Sequence, residues 1–182
     1  YESKLKFVNI ESYNKIKNGI KNDYLNSESN EENMSFVYAL SKILKVDEAS
    51  LVNSLKSFKG LPHRHEIFYK KGNKIFINDS KATSFEATKS ALRSNKNIFW
   101  IVGGLPKVGN KFQLGGVKKN IIKAYIIGKN ISFFRKQIGK KIPFTVSKNM
   151  QNAVNNIYKD LKSSKYSRQT ILLSPAAASF DQ

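Results

Sequence analysis

Four short stretches of this sequence carry side chains able to do chemistry. In Ile77-Asn78-Asp79-Ser80-Lys81-Ala82-Thr83, a β-like run ends in an acid, a hydroxyl, a lysine and a second hydroxyl. The positive end of a following helix and its free N–H groups favour an anion there. Lys81 adds charge, and Asp79 can accept from ribose hydroxyls or cap the helix. Gly103-Gly104-Leu105-Pro106-Lys107 also follows an apolar run. Paired glycines let backbone approach a ligand, and Lys107 can meet a carboxylate or phosphate as a point charge. The stretch is not a Walker loop, because the closing Gly-Lys-Ser/Thr is missing. Ser174–Ser179 offers hydroxyls and backbone N–H groups suited to a carboxylate, and no Gly-x-Ser-x-Gly elbow surrounds either serine to make a hydrolytic nucleophile. In His63-Arg64-His65 the two histidines have no third partner in the chain, which argues against a metal site. Arg64, just after Pro62, is placed to reach a phosphate from between two domains. Asn33, near the start of a helix, can read a base edge or cap that helix.

The elements that must position these residues follow from periodicity. Leu5–Ile10 reads as a short β-like run and Asn22–Asn30 as a loop. From Glu31 to Leu44 the apolar residues Met34, Val37, Tyr38, Leu40 and Leu44 recur at helical spacing. Asp47 can cap a second helix carrying Leu51, Val52, Leu55 and Phe58, with Gly60 as a stop. Leu61-Pro62 is a domain boundary. Beyond it, strands at His65–Tyr69, Lys74–Asn78, Asn97–Val102, Lys123–Ile127, Pro143–Val146 and Thr170–Leu173 are predicted, with helices over Thr83–Ser94, Ile131–Ile138 and Met150–Leu161. Such alternation argues for an α/β fold with a mostly parallel sheet covered on both faces. Ligands in these sheets sit beyond the carboxyl ends of strands, which selects Asp79–Lys81, Gly103–Lys107 and Ser174–Ser179.

Composition narrows the classes. A chain of 182 residues with 40% hydrophobic content can bury a core, and with no cysteine it has neither disulfides nor a thiol nucleophile. Apolar runs such as Ile98–Val102 fall far short of the ~20 residues that span a bilayer, so the reading is a soluble cytoplasmic protein without membrane insertion. The formal charge of +19 suits a nucleic-acid binder. Yet 28 of the 32 basic residues are lysine, scattered from Lys4 to Lys165, and base recognition favours the arginine fork. Tyr and Phe fall mainly at core-like positions rather than in a stacking array. A solvated lysine surface is therefore preferred, and no nucleic-acid partner is expected. The chain starts at Tyr1 and ends at Gln182 soon after an apolar strand, which reads as a piece of a longer protein.

Taken in order, Gly60-Leu61-Pro62-His63-Arg64-His65-Glu66, Ile77-Asn78-Asp79-Ser80-Lys81-Ala82-Thr83, Gly103-Gly104-x-x-Lys107 and Leu173-Ser174-Pro175-Ala176-Ala177-Ala178-Ser179-Phe180-Asp181-Gln182 resemble the D-glutamate-adding Mur ligases of bacterial peptidoglycan synthesis. The resemblance covers about Asn30 to Gln182, and its Asp-Ser-Lys-Ala-Thr element separates this family from the sister ligases. It implies that residues 1–60 end a central ATPase domain and that 61–182 form most of a Rossmann-like, D-glutamate-binding C-terminal domain, truncated at its end. It also implies an ATP-dependent ligase that joins D-glutamate to UDP-N-acetylmuramoyl-L-alanine through an acyl phosphate, as a monomer using Mg2+ held by residues outside this chain. By the same match Asn33, Arg64 and Asp79 contact ATP across a domain cleft, and Lys81 is catalytic beside the phosphates and the amino acid. Thr83 and Lys107 hold one D-glutamate carboxylate, and Ser179 with the backbone of Phe180 holds the other.

Departures from the family pattern are also legible. His65 stands where an apolar residue is expected, and Gly115-Gly116 weakens a segment that the family makes helical. The sequence holds no Gly-x-Gly-Lys-Thr phosphate loop, no carbamylatable central-domain lysine and no UDP-sugar domain, so this chain alone is expected to be inactive. The alternatives are a lysine-rich nucleic-acid-binding domain and another amino-acid ligase of the Mur superfamily.

Overall fold

The computed structural model describes residues 8–22, 24–25 and 28–178, and the chain divides into two compact units after Gly60. The first unit is helical. A 3-10 turn at Ile10–Tyr13, with the Asn9 side chain accepting from Glu11 N, leads into α1 (Asn14–Lys17), α2 (Glu28–Ile43) and α3 (Glu48–Ser57). The β-like reading of Leu5–Ile10 is thus replaced at Ile10 by a helical turn, and its first residues lie outside the described ones. Helix α2 starts three residues before the sequence suggested. Its polar first turn holds Glu31, an acid that the positive helix end favours there. Asp47 caps α3, accepting from Ser50 N (2.9 Å). At the other end of α3, Asn22 Nδ2 donates to the carbonyls of Leu55 (2.7 Å) and Phe58 (2.8 Å), groups a helix terminus leaves unpaired. Tyr13, Ile16, Ile20, Leu25, Tyr38, Leu51 and Leu55 form this unit's core.

The second unit is built on a six-stranded sheet in the order β1-β2-β6-β3-β4-β5. Its strands are β1 (Glu66–Lys71), β2 (Lys74–Asn78), β3 (Ile98–Gly103), β4 (Ile121–Ile127), β5 (Phe144–Lys148) and β6 (Gln169–Leu173). Only β1–β2 is antiparallel, a hairpin turning at Gly72 with φ +56°, and every other pair is parallel. The α/β class with a mostly parallel sheet is therefore as read from the sequence. Period-2 side chains divide the core between the two faces. Ile77, Trp100, Val102, Ala124, Ile126 and Leu172 pack with helices α4 (Phe85–Ser94) and α5 (Ile131–Ile138). Phe99, Ile101, Tyr125, Ile127 and Ile171 pack with α6 (Met150–Ser163) through Ala153, Ile157 and Leu161.

Boundaries shift where backbone chemistry overrides the apolar pattern. His65 has φ +48° and cannot start a strand, so β1 begins at Glu66. Thr83 precedes α4 rather than opening it, and the cap is Ser84, whose Oγ accepts from Ala87 N (3.3 Å). The Gly115-Gly116 segment forms a 3-10 helix, Gly115–Asn120. No helix among the described residues is long and apolar enough to cross a membrane.

Candidate functional site at the strand ends

Three strand exits lie side by side, because β6 pairs in parallel with β2 on one side and β3 on the other. The segment after β6 binds both neighbours. Ala176, with φ +58°, donates its N–H to Ala82 O (3.0 Å), and its carbonyl accepts from Asn110 Nδ2 (2.8 Å). Leu105 and Ala178 exchange two backbone bonds, at 2.7 and 3.0 Å. The sheet order thus groups the exits that the carboxyl-end rule selected.

At the exit of β2, Asp79 is buried and both its carboxylate oxygens are engaged. Oδ1 accepts from His65 N (3.0 Å) and Oδ2 from the Ser174 hydroxyl (2.7 Å). Ser174 is fully buried, its Oγ lies 2.9 Å from Thr88 Oγ1, and its carbonyl accepts from Trp100 Nε1 (2.8 Å). Burial pushes the Asp79 pKa up, while the Ser174 hydroxyl, the His65 N–H and the Arg64 charge pull it back. Ser174 does bind a carboxylate, as its sequence setting suggested, but the carboxylate is the protein's own. No local signal announces a partner 95 residues away.

Around Asp79, Arg64, Lys81 and Thr83 are held close by main-chain bonds. Lys81 N donates to His63 O (3.1 Å), Thr83 N to Lys81 O (3.0 Å) and Ala82 N to Asp79 O (2.9 Å). Arg64 and Lys81 are exposed, Thr83 half-buried. His65, unexpected at this position by its polarity, is half-buried with Nε2 3.4 Å from Asn95 Nδ2, and burial lowers its pKa toward the neutral ring.

At the exit of β3 the glycine pair serves another purpose than the sequence suggested. A Cβ on Gly103 (φ +148°) would fall on the Ile127 carbonyl, and one on Gly104 (φ +128°) on the Ala178 carbonyl. Backbone of the protein itself, not a ligand, makes the close approach. Lys107 lies beyond, exposed, in a turn closed by Asn110 N donating to its carbonyl (3.1 Å). Asn33 belongs to the first unit, exposed on α2, while Ser179 and Phe180 lie outside the described residues. Sequence reasoning missed Thr88 and Trp100, whose fully buried polar atoms complete the Ser174 network. Among the described residues no three His, Asp or Glu side chains gather where they could hold a metal ion.

A second concavity at the carboxyl edge, about 810 Å³, lies between the exits of β4, β5 and β6, with Ile127, Lys148, Met150 and Pro175 in its wall. Ser80 and Pro175, from the stretches that the carboxyl-end rule selected, line it, but none of Asn33, Arg64, Asp79, Lys81, Thr83 and Lys107 does.

Comparison with known proteins places this arrangement. The fold matches the MurF ligase from Thermotoga maritima in complex with ADP (TM-score 0.57, 17% identity, 83% of this chain and 36% of that one). It also matches MurF from Acinetobacter baumannii (TM-score 0.60, 15% identity, 83% and 35%). What these matches share with the chain is the fold, over 83% of its length. By sequence the chain is 42% identical over 158 residues to a UDP-N-acetylmuramoylalanine–D-glutamate ligase from Wolbachia sp. subsp. Brugia malayi, covering 87% of this chain and 32% of the relative. It is 43% identical over 132 residues to the ligase of the same name from Rhodopseudomonas palustris, covering 72% and 28%. The curated relatives that the chain matches at 37–43% identity are named UDP-N-acetylmuramoylalanine–D-glutamate ligases, and the chain spans about a third of their length. No family model matches it.

Proposed function

We propose that this chain is the part of a cytoplasmic, monomeric bacterial ligase that receives D-glutamate and faces ATP, residues 1–60 ending the ATPase domain and 61–182 forming most of the D-glutamate domain. The observation that carries the reading is the 42% identity to a UDP-N-acetylmuramoylalanine–D-glutamate ligase over 158 residues, 87% of this chain. In this reading Asn33, Arg64, Asp79 and Lys81 serve ATP, Thr83 and Lys107 one carboxylate of D-glutamate, and Ser179 and Phe180 the other.

The reaction is carboxylate activation. The γ-phosphoryl of ATP passes to a carboxylate oxygen of UDP-N-acetylmuramoyl-L-alanine, releasing ADP and giving an acyl phosphate. The free amine of D-glutamate attacks the acyl carbon, loses a proton, and the tetrahedral intermediate expels inorganic phosphate as the amide forms. Such transfers depend on placement and charge neutralisation. Lys81 and Arg64, exposed on adjoining backbone at the β2 exit, suit the phosphates, and Lys107 suits a dicarboxylate. Among the described residues no cluster fits a metal ion, so a Mg2+ accompanying the nucleotide would take its ligands from the rest of the protein.

The test uses the full-length protein that carries this chain, given ATP, UDP-N-acetylmuramoyl-L-alanine and one amino acid at a time. Phosphate release that requires D-glutamate is the expected result. Release with a different amino acid in preference makes it a sister ligase, and release without any amino acid overturns the reading. The 182-residue chain alone is expected to release none.

A further inference from the structure

Arg64 sits between two residues with left-handed backbone, His63 (φ +64°) and His65 (φ +48°). Residues with a Cβ rarely adopt that region, so the surroundings must hold them there. Four bonds do so. Arg64 N donates to Leu61 O (3.2 Å), His63 N to Glu66 Oε2 (2.9 Å), Lys81 N to His63 O (3.1 Å) and His65 N to Asp79 Oδ1 (3.0 Å). The first three join exposed residues to one another or, at Glu66, to a half-buried one. Only the fourth continues inward, through Asp79 Oδ2 to the Ser174 hydroxyl and on to Thr88 in α4.

We propose that Ser174 is a positioning residue, whose hydroxyl fixes the Asp79 carboxylate so that it clamps the His65 N–H and presents Arg64 and Lys81 from one rigid knuckle to an anionic group. The functional part of this inference rests on the nucleotide reading above. Ser174 is well made for the task. It is fully buried, and the Trp100 indole N–H holds its carbonyl (2.8 Å), so its hydroxyl has one direction to point. A carboxylate in a poorly hydrated place that loses one of two donors no longer has a fixed orientation.

Amide exchange on the labelled 182-residue chain reads the clamp directly. Replacing Ser174→Ala should speed exchange at His65 and Lys81 by at least about tenfold relative to Val102 and Ile126 in the same sample, since local opening and global unfolding are separable. If His65 speeds up only in step with Val102 and Ile126, Ser174 is mere core packing and the proposal fails. A measurement on the unaltered chain stands in if the variant does not fold. On titration of the Asp79 carboxyl carbon, the His65 amide resonance should move with the same midpoint, and a His65 signal indifferent to Asp79 overturns the clamp. In the full-length protein, Ser174→Ala should raise the KM for ATP at least about fivefold and leave the KM for D-glutamate within about twofold, a split that general destabilisation does not produce. If the full-length protein uses no ATP at all, the nucleotide reading falls, while exchange and titration still decide the clamp.

Discussion

The exits of β2 and β3 flank the same segment, Ser174–Ala178, and are tied to it by different means. The β3 exit is held mainly through backbone. Leu105 and Ala178 bond to each other twice, Gly103 N donates to Pro175 O (3.1 Å), and the two glycines leave no room for a Cβ. The β2 exit is held through a side chain, the Asp79 carboxylate, with backbone bonds from Ala176 N to Ala82 O (3.0 Å) and from Asp79 N to Leu173 O (2.7 Å) beside it. The contrast has chemical consequences. A backbone clamp has no protonation state and yields only to a steric or conformational insult. A carboxylate clamp carries a charge in a desolvated place, so pH and near-isosteric substitutions act on it. The cations differ in step: Lys81 is part of its clamp through its own N–H, whereas Lys107 lies beyond its clamp on an exposed turn.

The largest effect should come from attacking the backbone clamp. Gly103→Ala puts a methyl onto the Ile127 carbonyl at φ +148°, and should cost at least about 2–3 kcal/mol of stability. Urea unfolding followed by Trp100, the single tryptophan and buried in the second unit, measures it. A loss below about 1 kcal/mol means that the exit relaxes and is not clamped. Next is Asn110, which is stitched into the β3 exit with Nδ2 donating to Ala176 O (2.8 Å) and Oδ1 accepting from Phe85 N (3.3 Å), beside Asn130, whose Nδ2 donates to Gly104 O (2.9 Å). Asn110→Ala should cost about 1–2 kcal/mol by the same assay. An effect as large as that of Gly103→Ala makes this exit side-chain-held as well, and the contrast disappears.

The sheet was legible because each buried strand is a continuous apolar run and each helix is amphipathic. The whole of α5, Ile131–Ile138, and the strand Lys74–Asn78 are as predicted, and the ends of the other strands and helices moved by at most three residues. Pro143 dropped out of β5, lacking an N–H to donate, though its carbonyl still accepts from Ala124 N (2.9 Å). What the sequence could not convey was long-range partnership. A serine after a strand looks the same whether it binds substrate or an aspartate 95 residues earlier. Paired glycines look the same whether a ligand or the protein's own carbonyls approach them. The exposed cations Lys81 and Lys107 were legible because strand-end position alone selects them, and Arg64 because it follows Pro62 at the boundary between the two units.

A substitution at Lys107 asks whether the looser exit carries function without carrying stability. Lys107→Ala should change the unfolding free energy by less than about 0.5 kcal/mol, because the side chain is exposed and its turn is closed by backbone. In the full-length protein the same change should raise the KM for D-glutamate and lower kcat/KM at least about tenfold, or ~1.4 kcal/mol, since it unpairs one carboxylate of the substrate. Little change is expected in the KM for ATP. Unaltered D-glutamate kinetics would make Lys107 a solvated surface lysine.

The smallest effect is a slope with pH, and it distinguishes the two exits most directly. Burial raises the Asp79 pKa above its ordinary value of 3.8 despite the opposing Ser174, His65 and Arg64 interactions. With the folded pKa above the unfolded one, the folded state binds more protons at Asp79 between the two values, so stability falls as pH rises through that window. The contribution is fully present below the unfolded value and gone above the folded one. Asp79→Asn cannot titrate, so the unfolding free energy of the unaltered chain minus that of the variant should decline from pH 3.5 upward and level off once Asp79 is ionised in both states. The decline cannot exceed about 1.4 kcal/mol per pH unit, the limit for one proton. Gly104→Ala, which breaks the other exit, should lower stability by the same amount at every pH in this range, because no group in the Leu105–Ala178 clamp titrates. Urea titrations of the three proteins in parallel give both curves. A flat Asp79→Asn difference would mean that the β2 exit is held by shape like its neighbour, and a rising one that the Ser174 and His65 bonds outweigh burial and hold the Asp79 pKa below its unfolded value.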